Sequence, residues 1–307
     1  MPGSNFDQSS ALLSVVVPIY NEAVALGTVL PQLLDFCRQR GFAVILVNDG
    51  SADDTPVILS RYQDEPGVKI LHHKLNRGYG GAIKTGIRAA TTPYVVTIDA
   101  DGQHEAEDIE RLFKLALETG ADMVIGHREG RTSGWYRELG KGIIRRFTRF
   151  LMPLSIHDIN SGFKLYRADL AKRYLHVCPQ TMAYSDVITL VFVNQRHLVL
   201  ECPIQVHDRA AGRSTISSYT ALETIVEILN LTMLFNPLRV FLPLSAACVL
   251  VGLLWGTPFI LLGKGVSVGA MLAIVVGVLF FFLGLIASQL SAIRLGGLAQ
   301  GEGADEM

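Results

Sequence analysis

Across its first two thirds the chain alternates short apolar runs with polar clusters and helix-length segments. Leu12-Leu-Ser-Val-Val-Val-Pro18 reads as a strand, stopped by Pro18 and the cluster Tyr20-Asn21-Glu22, with a helix following to about Arg40. Phe42-Ala-Val-Ile-Leu-Val-Asn48 is a second strand that runs into the acidic turn Asp49-Gly50-Ser51. A helix signal follows at Asp54-Thr-Pro56, with proline in the first turn. A third strand covers 68–72, and Asn76-Arg77-Gly78-Tyr79-Gly80-Gly81 leads into a helix ending near Ala90. The fourth strand, expected over 94–99, precedes a helix at 105–119 and a fifth strand at 122–126. Continuous apolar strands alternating with helices imply an α/β domain, a mostly parallel sheet covered on both faces.

The polar residues of this half fall where strands end, so Asn21-Glu22, Asn48-Asp49, Arg77-Gly78 and Asp99–Asp101 line one sheet edge. If the fourth strand runs through Asp99, that residue and Asp101 point to the same side. Two carboxylates with the amide oxygen of Gln103 nearby suit Mg2+ or Mn2+, which would also hold a substrate diphosphate. The glycine loop at 78–81 lacks the Gly-Lys-Ser/Thr of a P-loop and the third glycine of a dinucleotide fingerprint.

The last third is of a different kind. Two apolar runs, about 238–262 and 266–292, are separated by the turn Gly263-Lys264-Gly265. Each exceeds the roughly 20 residues needed to cross a bilayer, so the expectation is a transmembrane hairpin. Arg239 and Arg294 at its outer ends favour a cytoplasmic side for the preceding domain, with Lys264 in the loop a contrary sign. Upstream, Arg137, Lys141, Arg145 and Arg149 recur every four residues among apolar neighbours, the pattern of a basic amphipathic helix at an anionic membrane surface. Leu222, Ile225, Val226, Leu229 and Met233 mark another amphipathic helix. The resulting organisation is a polar tail (1–10), an α/β domain (11–215), a juxtamembrane helix (216–236), the hairpin (237–293) and a tail (294–307).

Composition adds little beyond this division. Lys and Arg number 27 against 28 Asp and Glu, so bulk charge gives no case for nucleic-acid binding. The four cysteines are scattered, and His72, His73, His127 and His207 have no metal-ligand spacing, so both sets are read as structural.

Val17-Pro-Ile-Tyr-Asn-Glu22, Val47-Asn-Asp-Gly-Ser51, Asn76-Arg-Gly-Tyr-Gly and Asp99-Ala-Asp-Gly-Gln-His104 together resemble the motif series of family 2 glycosyltransferases with the Rossmann-like GT-A fold. Ser161-Gly-Phe-Lys-Leu-Tyr166 and Glu201-Cys-Pro-Ile…Asp208-Arg-Ala-Ala-Gly-Arg213 are similar to the dolichol-phosphate mannosyltransferase and polyprenyl-phosphate glucosyltransferase branch. Asn48 departs from the pattern, since many members carry an aspartate there.

The resemblance implies a membrane-bound, inverting transferase that moves a hexose, mannose or glucose, from GDP-mannose or UDP-glucose to a polyprenyl or dolichyl phosphate. It implies nucleotide-sugar contacts from Pro18, Tyr20, Glu22, Asp49, Arg77, Gly78 and Asp99, with Asp49 on the base and Asp101 the more direct metal ligand. Family members assemble through their membrane helices, which makes a homo-oligomer the expectation. The acceptor is itself an anion, so arginines are required to bring two phosphates together. Arg128, Arg131, Arg145, Arg209 and Arg213 are the candidates, with Asp158 and Arg209 beside Asp101 as catalytic candidates. Asp158 is equally a turn cap, and Asp186 either a sugar-hydroxyl ligand or a helix cap. The alternatives are a transferase acting on another glycolipid or a polysaccharide, and a catalytically silent scaffold. Gln195-Arg196 without a following tryptophan argues against a processive synthase.

Overall fold

The computed structural model describes residues 11–128, 156, 158–159, 161–205, 232–233 and 235–296. They fall into an α/β domain and a separate helical hairpin. In chain order the domain's strands are β1 (Leu13–Ile19), β2 (Ala43–Asn48), β3 (Val68–His72), β4 (Tyr94–Thr97), β5 (Met123–Arg128), β6 (Lys164–Arg167) and β7 (Val199–Ile204). Its helices are α1 (Ala23–Arg40), α2 (Thr55–Ser60), α3 (Tyr79–Ala89), α4 (Ala106–Thr119), α5 (Ala168–Tyr174) and α6 (Tyr184–Asn194).

The strands make one sheet in the order β3-β2-β1-β4-β6-β5-β7. β1, β2, β3 and β4 run parallel, β6 is antiparallel to both its neighbours, and β7 is parallel to β5. Every residue of β1 and β2 is buried, as unbroken apolar runs at the centre of a doubly covered sheet should be. Val15, Val17 and Ile19 of β1 share a core cluster with Leu26, Leu30 and Leu34 of α1 and Ile109 and Leu112 of α4. On the other face α3 lies close enough to β1 that a Cβ on Gly86 would collide with Val16.

Two features differ from the sequence expectation. β4 ends at Thr97, so Asp99 and Asp101 stand in the turn beyond it and the shared-face argument from strand alternation does not apply. β6 and β7 were not anticipated. β6 reads Lys-Leu-Tyr-Arg, and its first charged residue is fully buried, which no hydropathy pattern signals. β7 contains Pro203, which an edge strand tolerates.

The second unit is α7 (Leu238–Leu261) and α8 (Val268–Gly296). Their apolar windows have mean hydropathies of 2.0 and 2.9, and only 11% and 17% of those windows is buried. The pair packs along small residues. A Cβ on Gly252 would meet Ile274 Cγ1 at 2.6 Å and Ala270 O at 2.8 Å, and one on Gly277 would meet Val249 Cγ2 at 2.7 Å. Such seams let apolar helices approach closely where no hydrophobic force drives them together.

Candidate active site

Chain connectivity creates the crevice. β1 leads through α1 to β2 on one side, while β4 pairs on its other side, so the strand order reverses between β1 and β4. Ligands of open α/β sheets bind at the carboxyl ends of strands at such a switch point. Tyr20 and Glu22 follow β1, Asp49 follows β2, and Asp99 and Asp101 follow β4. Pro18 is buried within β1 opposite Val47, whereas Tyr20 is 46% exposed.

The first two loops are laced together. Asn21, with φ 53°, accepts Ala52 N–H on Oδ1 at 2.8 Å and donates its own N–H to Ser51 Oγ at 3.0 Å. Glu22 N–H reaches Thr55 Oγ1, and Ala23 N–H reaches Asp53 Oδ2. Asn48 is buried, accepting Ser51 N–H on Oδ1 and placing Nδ2 3.0 Å from His72 Nδ1. An amide donates and accepts at once, which an aspartate carboxylate there could not do. The departure from the family pattern therefore has a local partner.

Asp49 is 2% exposed. Its Oδ1 accepts Arg77 N–H at 2.9 Å and lies 2.6 Å from His73 Nδ1, while His73 Nε2 lies 2.9 Å from Thr85 Oγ1. His73, read from the sequence as merely structural, thus joins Asp49 to α3. The Arg77 side chain is exposed, and the backbone of Arg77 is what meets Asp49.

The glycine loop packs against another part of its own domain. Gly78 has φ 86°, and a Cβ there would stand 2.5 Å from Gln180 O. Gly80 is closed in by Pro179 O at 2.6 Å and Thr181 O at 2.8 Å, and Gly81 N–H donates to Gln180 O. Close approach of residues 179–181 is what these glycines allow.

At the acidic turn, Asp101 is 5% exposed and accepts Gln103 N–H on Oδ1 at 3.1 Å. Tyr79 OH donates to Asp99 Oδ1 at 2.9 Å. Burial, then the charge of Asp99, holds that phenol well above its ordinary pKa, so it remains a donor. Gly162 arrives beside this pair with its carbonyl accepting Thr97 Oγ1–H at 2.7 Å. A Cβ on Gly162 would lie 2.9 Å from Asp99 Oδ2 and collide with Tyr79 OH, so only glycine fits against this pair. Among the described residues no group of three or more His, Cys, Asp or Glu is placed to hold a metal. The carboxylates of Asp99 and Asp101 are the donor type of a small hard cation that takes its remaining ligands from a diphosphate. Tyr79 and Gly162 are the site residues that the sequence reading did not single out, although both lie in its motifs.

A further missed residue is Lys164. It is fully buried, and its Nζ donates to Ile159 O at 2.6 Å and Ser185 O at 2.5 Å. It thereby ties the segment carrying Asp158 to the start of α6, where Asp186 stands, and both carboxylates act on its charge. Asp158 N–H donates to Glu201 Oε1 at 3.1 Å. Arg131, Arg145, Arg209 and Arg213 lie outside the described residues, as do the basic helix and most of the second amphipathic helix. Arg128 ends β5, its side chain likewise outside them.

Comparison with known proteins places this geometry. The profile described as Glycosyl transferase family 2 matches residues 14–175, and that described as GtrB C-terminal hairpin matches residues 236–293. An undecaprenyl-phosphate 4-deoxy-4-formamido-L-arabinose transferase of Edwardsiella ictaluri is 27% identical over 295 residues, covering 92% of this chain and 89% of the relative. That of Pectobacterium carotovorum is 29% identical over 281 residues, covering 89% and 84%. Among solved structures, glucosyl-3-phosphoglycerate synthase of Mycobacterium tuberculosis with Mn2+, UDP-glucose and phosphoglyceric acid superposes with a TM-score of 0.56 at 16% identity, covering 76% of this chain and 85% of that one. TarS 1–349 of S. aureus with UDP gives 0.51 at 20% identity, covering 74% of this chain and 65% of that one. At these identities the two structures establish the GT-A type of fold alone.

Proposed function

The chain belongs to glycosyl transferase family 2, and we propose that it transfers a sugar from a nucleotide sugar to the phosphate of a polyprenyl or dolichyl lipid. It is an enzyme of the glycosyltransferase class and, from its apolar hairpin, a membrane protein. The observation that carries the acceptor is the presence of both parts in one chain: an acidic turn at a GT-A switch point and a hairpin of the GtrB kind. Similarity along most of the chain to undecaprenyl-phosphate transferases supports it.

In this reading Asp99 and Asp101, with Gln103 beside them, would hold Mg2+ or Mn2+, which when bound offsets charge on the departing diphosphate. Tyr79 fixes the Asp99 carboxylate by donating to Oδ1, and Gly162, lacking a side chain, lets the phenol and the carboxylate pack together. Asp49 reads the base, and Pro18, Tyr20, Glu22, Arg77 and Gly78 line the nucleotide side. The lipid phosphate is already ionised, so no strong general base is needed. Arg128, Arg131, Arg145, Arg209 and Arg213 are assigned to it because a guanidinium fork pairs with phosphate oxygens and lets two anions meet. Attack from the face opposite the leaving group inverts the anomeric centre and gives a β-linked product from an α-linked donor. The hairpin crosses the bilayer twice, with the catalytic domain on the cytoplasmic side.

The test is incubation of purified protein in detergent with Mg2+, a short polyprenyl phosphate and radiolabelled nucleotide sugars. The panel holds UDP-glucose, GDP-mannose and UDP-linked 4-deoxy-4-formamido-L-arabinose. This separates the hexose expected from the motifs from the sugar handled by the relatives. Lipid-extractable label from one donor, abolished in Asp101→Ala, is the expected result. Binding of a nucleotide sugar without any lipid product would instead point to a different acceptor.

A further inference from the structure

Asp49 has two carboxylate oxygens, and the fold has already used one of them. Oδ1 accepts Arg77 N–H at 2.9 Å and faces His73 Nδ1 at 2.6 Å. A carboxylate only accepts, so Nδ1 carries the proton and donates it. With two donors on it, the lone pairs of Oδ1 are filled. Among the described residues no donor reaches Oδ2. The His73 side chain is only 5% exposed, and its far nitrogen is anchored by Thr85 Oγ1 at 2.9 Å on α3. The ring therefore cannot swing away to release Oδ1 without breaking a second contact.

The two bases left open by the motif series ask different things of a carboxylate. Guanine presents neighbouring donors, N1–H and N2–H2, which match both oxygens of a free carboxylate. Uracil presents one, the imino N3–H. A carboxylate with a single oxygen left, on a residue only 2% exposed, pairs the uracil imino group and leaves one guanine donor without a carboxylate partner.

We infer that His73, by occupying Oδ1 of Asp49, makes this position a one-donor base reader that selects uracil over guanine, so that the donor is a UDP-sugar. The inference rests on the proposal that this edge binds a nucleotide sugar. His73 is a positioning residue in it, acting on the base through Asp49.

Calorimetric titration of the full-length protein in detergent with Mg2+ tests it, using UDP and GDP as probes. Wild type is expected to bind UDP at least about tenfold more tightly than GDP, the scale of one unmatched buried donor. His73→Ala, which leaves Oδ1 with Arg77 N–H alone and opens its second acceptor position, should narrow that ratio threefold or more. His73→Asn keeps an N–H donor near the Nδ1 position and should hold the ratio close to wild type, which also serves if the alanine variant does not fold. GDP binding as tight as UDP in wild type overturns the inference. So does an equal loss of both nucleotides in His73→Ala, the signature of mere structural damage, or a His73→Asn ratio that matches the alanine variant. Absence of any nucleotide binding, with no lipid product in the transfer assay, defeats the transferase reading itself. Binding without preference defeats only the base assignment.

Discussion

Lys164 shows how one residue can hold a site together without touching a ligand. Its amine spans from Ile159 O to Ser185 O inside the domain, between Asp158 and Asp186. Burial pushes it down to about 7, against the opposing pull of the two aspartates. A neutral amine still has two N–H donors, one for each carbonyl. Lys164→Met leaves both carbonyls unpaired and should cost about 2–4 kcal/mol, measurable by denaturant unfolding in detergent. The pH dependence follows from the direction of the shift. The unfolded chain holds this proton up to the ordinary lysine value of 10.5, and the folded chain releases it near 7. Between those values the unfolded state binds more protons, so stability is complete above the upper one and is lost as pH falls toward the lower. Wild type should gain stability from pH 7 to 9, by at most about 1.4 kcal/mol per unit, and Lys164→Met should lack that gain. Equal slopes in the two proteins would remove Lys164 as the cause.

At the scale of elements, glycines decide how closely segments approach. Gly78 combines φ 86° with Gln180 O where a Cβ would go, so Gly78→Ala must shift the loop at 179–181 and strain its own backbone. A cost of about 1–3 kcal/mol is expected, with the KM for nucleotide sugar rising more than kcat falls. Steady-state kinetics over a donor series checks this. In the hairpin, Gly252 faces Ile274 and Ala270 across the seam, whereas a Cβ on Gly269 meets only Ser267 Oγ at 3.8 Å. Gly252→Leu should lower the thermal midpoint in detergent and Gly269→Leu should leave it nearly unchanged. Matching losses in both would mean that the seam is not what holds α7 to α8. The same scale explains the missed strands. β6 hides a lysine, and β7 carries a proline that only an edge position excuses, so neither reads as a strand from local pattern.

For the whole molecule, the contrast between the two units is the informative feature. The α/β domain buries its apolar residues, while α7 and α8 expose theirs, including Trp255 at 61% and Leu254 at 75%. Exposed apolar surface of that extent needs lipid around it. The full-length protein should therefore stay in the pellet when membranes are washed with alkaline carbonate and leave only with detergent. Release by carbonate alone would contradict a spanning hairpin.

From the chain alone, the alternation of strands and helices, the pair of carboxylates at the end of the fourth apolar run and the apolar hairpin were all determined. Each depends on local quantities: the period of apolar positions, and a hydropathic run long enough for a bilayer. The motif residues 21–22, 48–49, 77–78 and 99–101 were legible because strand ends mark a sheet's ligand edge in any parallel fold. What only the tertiary structure decided is which groups meet there. The pairing of β1 with β4 makes the switch point, Tyr79 and Gly162 converge on Asp99, and His73 takes one oxygen of Asp49. Those partners come from 20, 63 and 24 residues away in the chain, and their contact follows from strand order and loop packing, which no local period encodes.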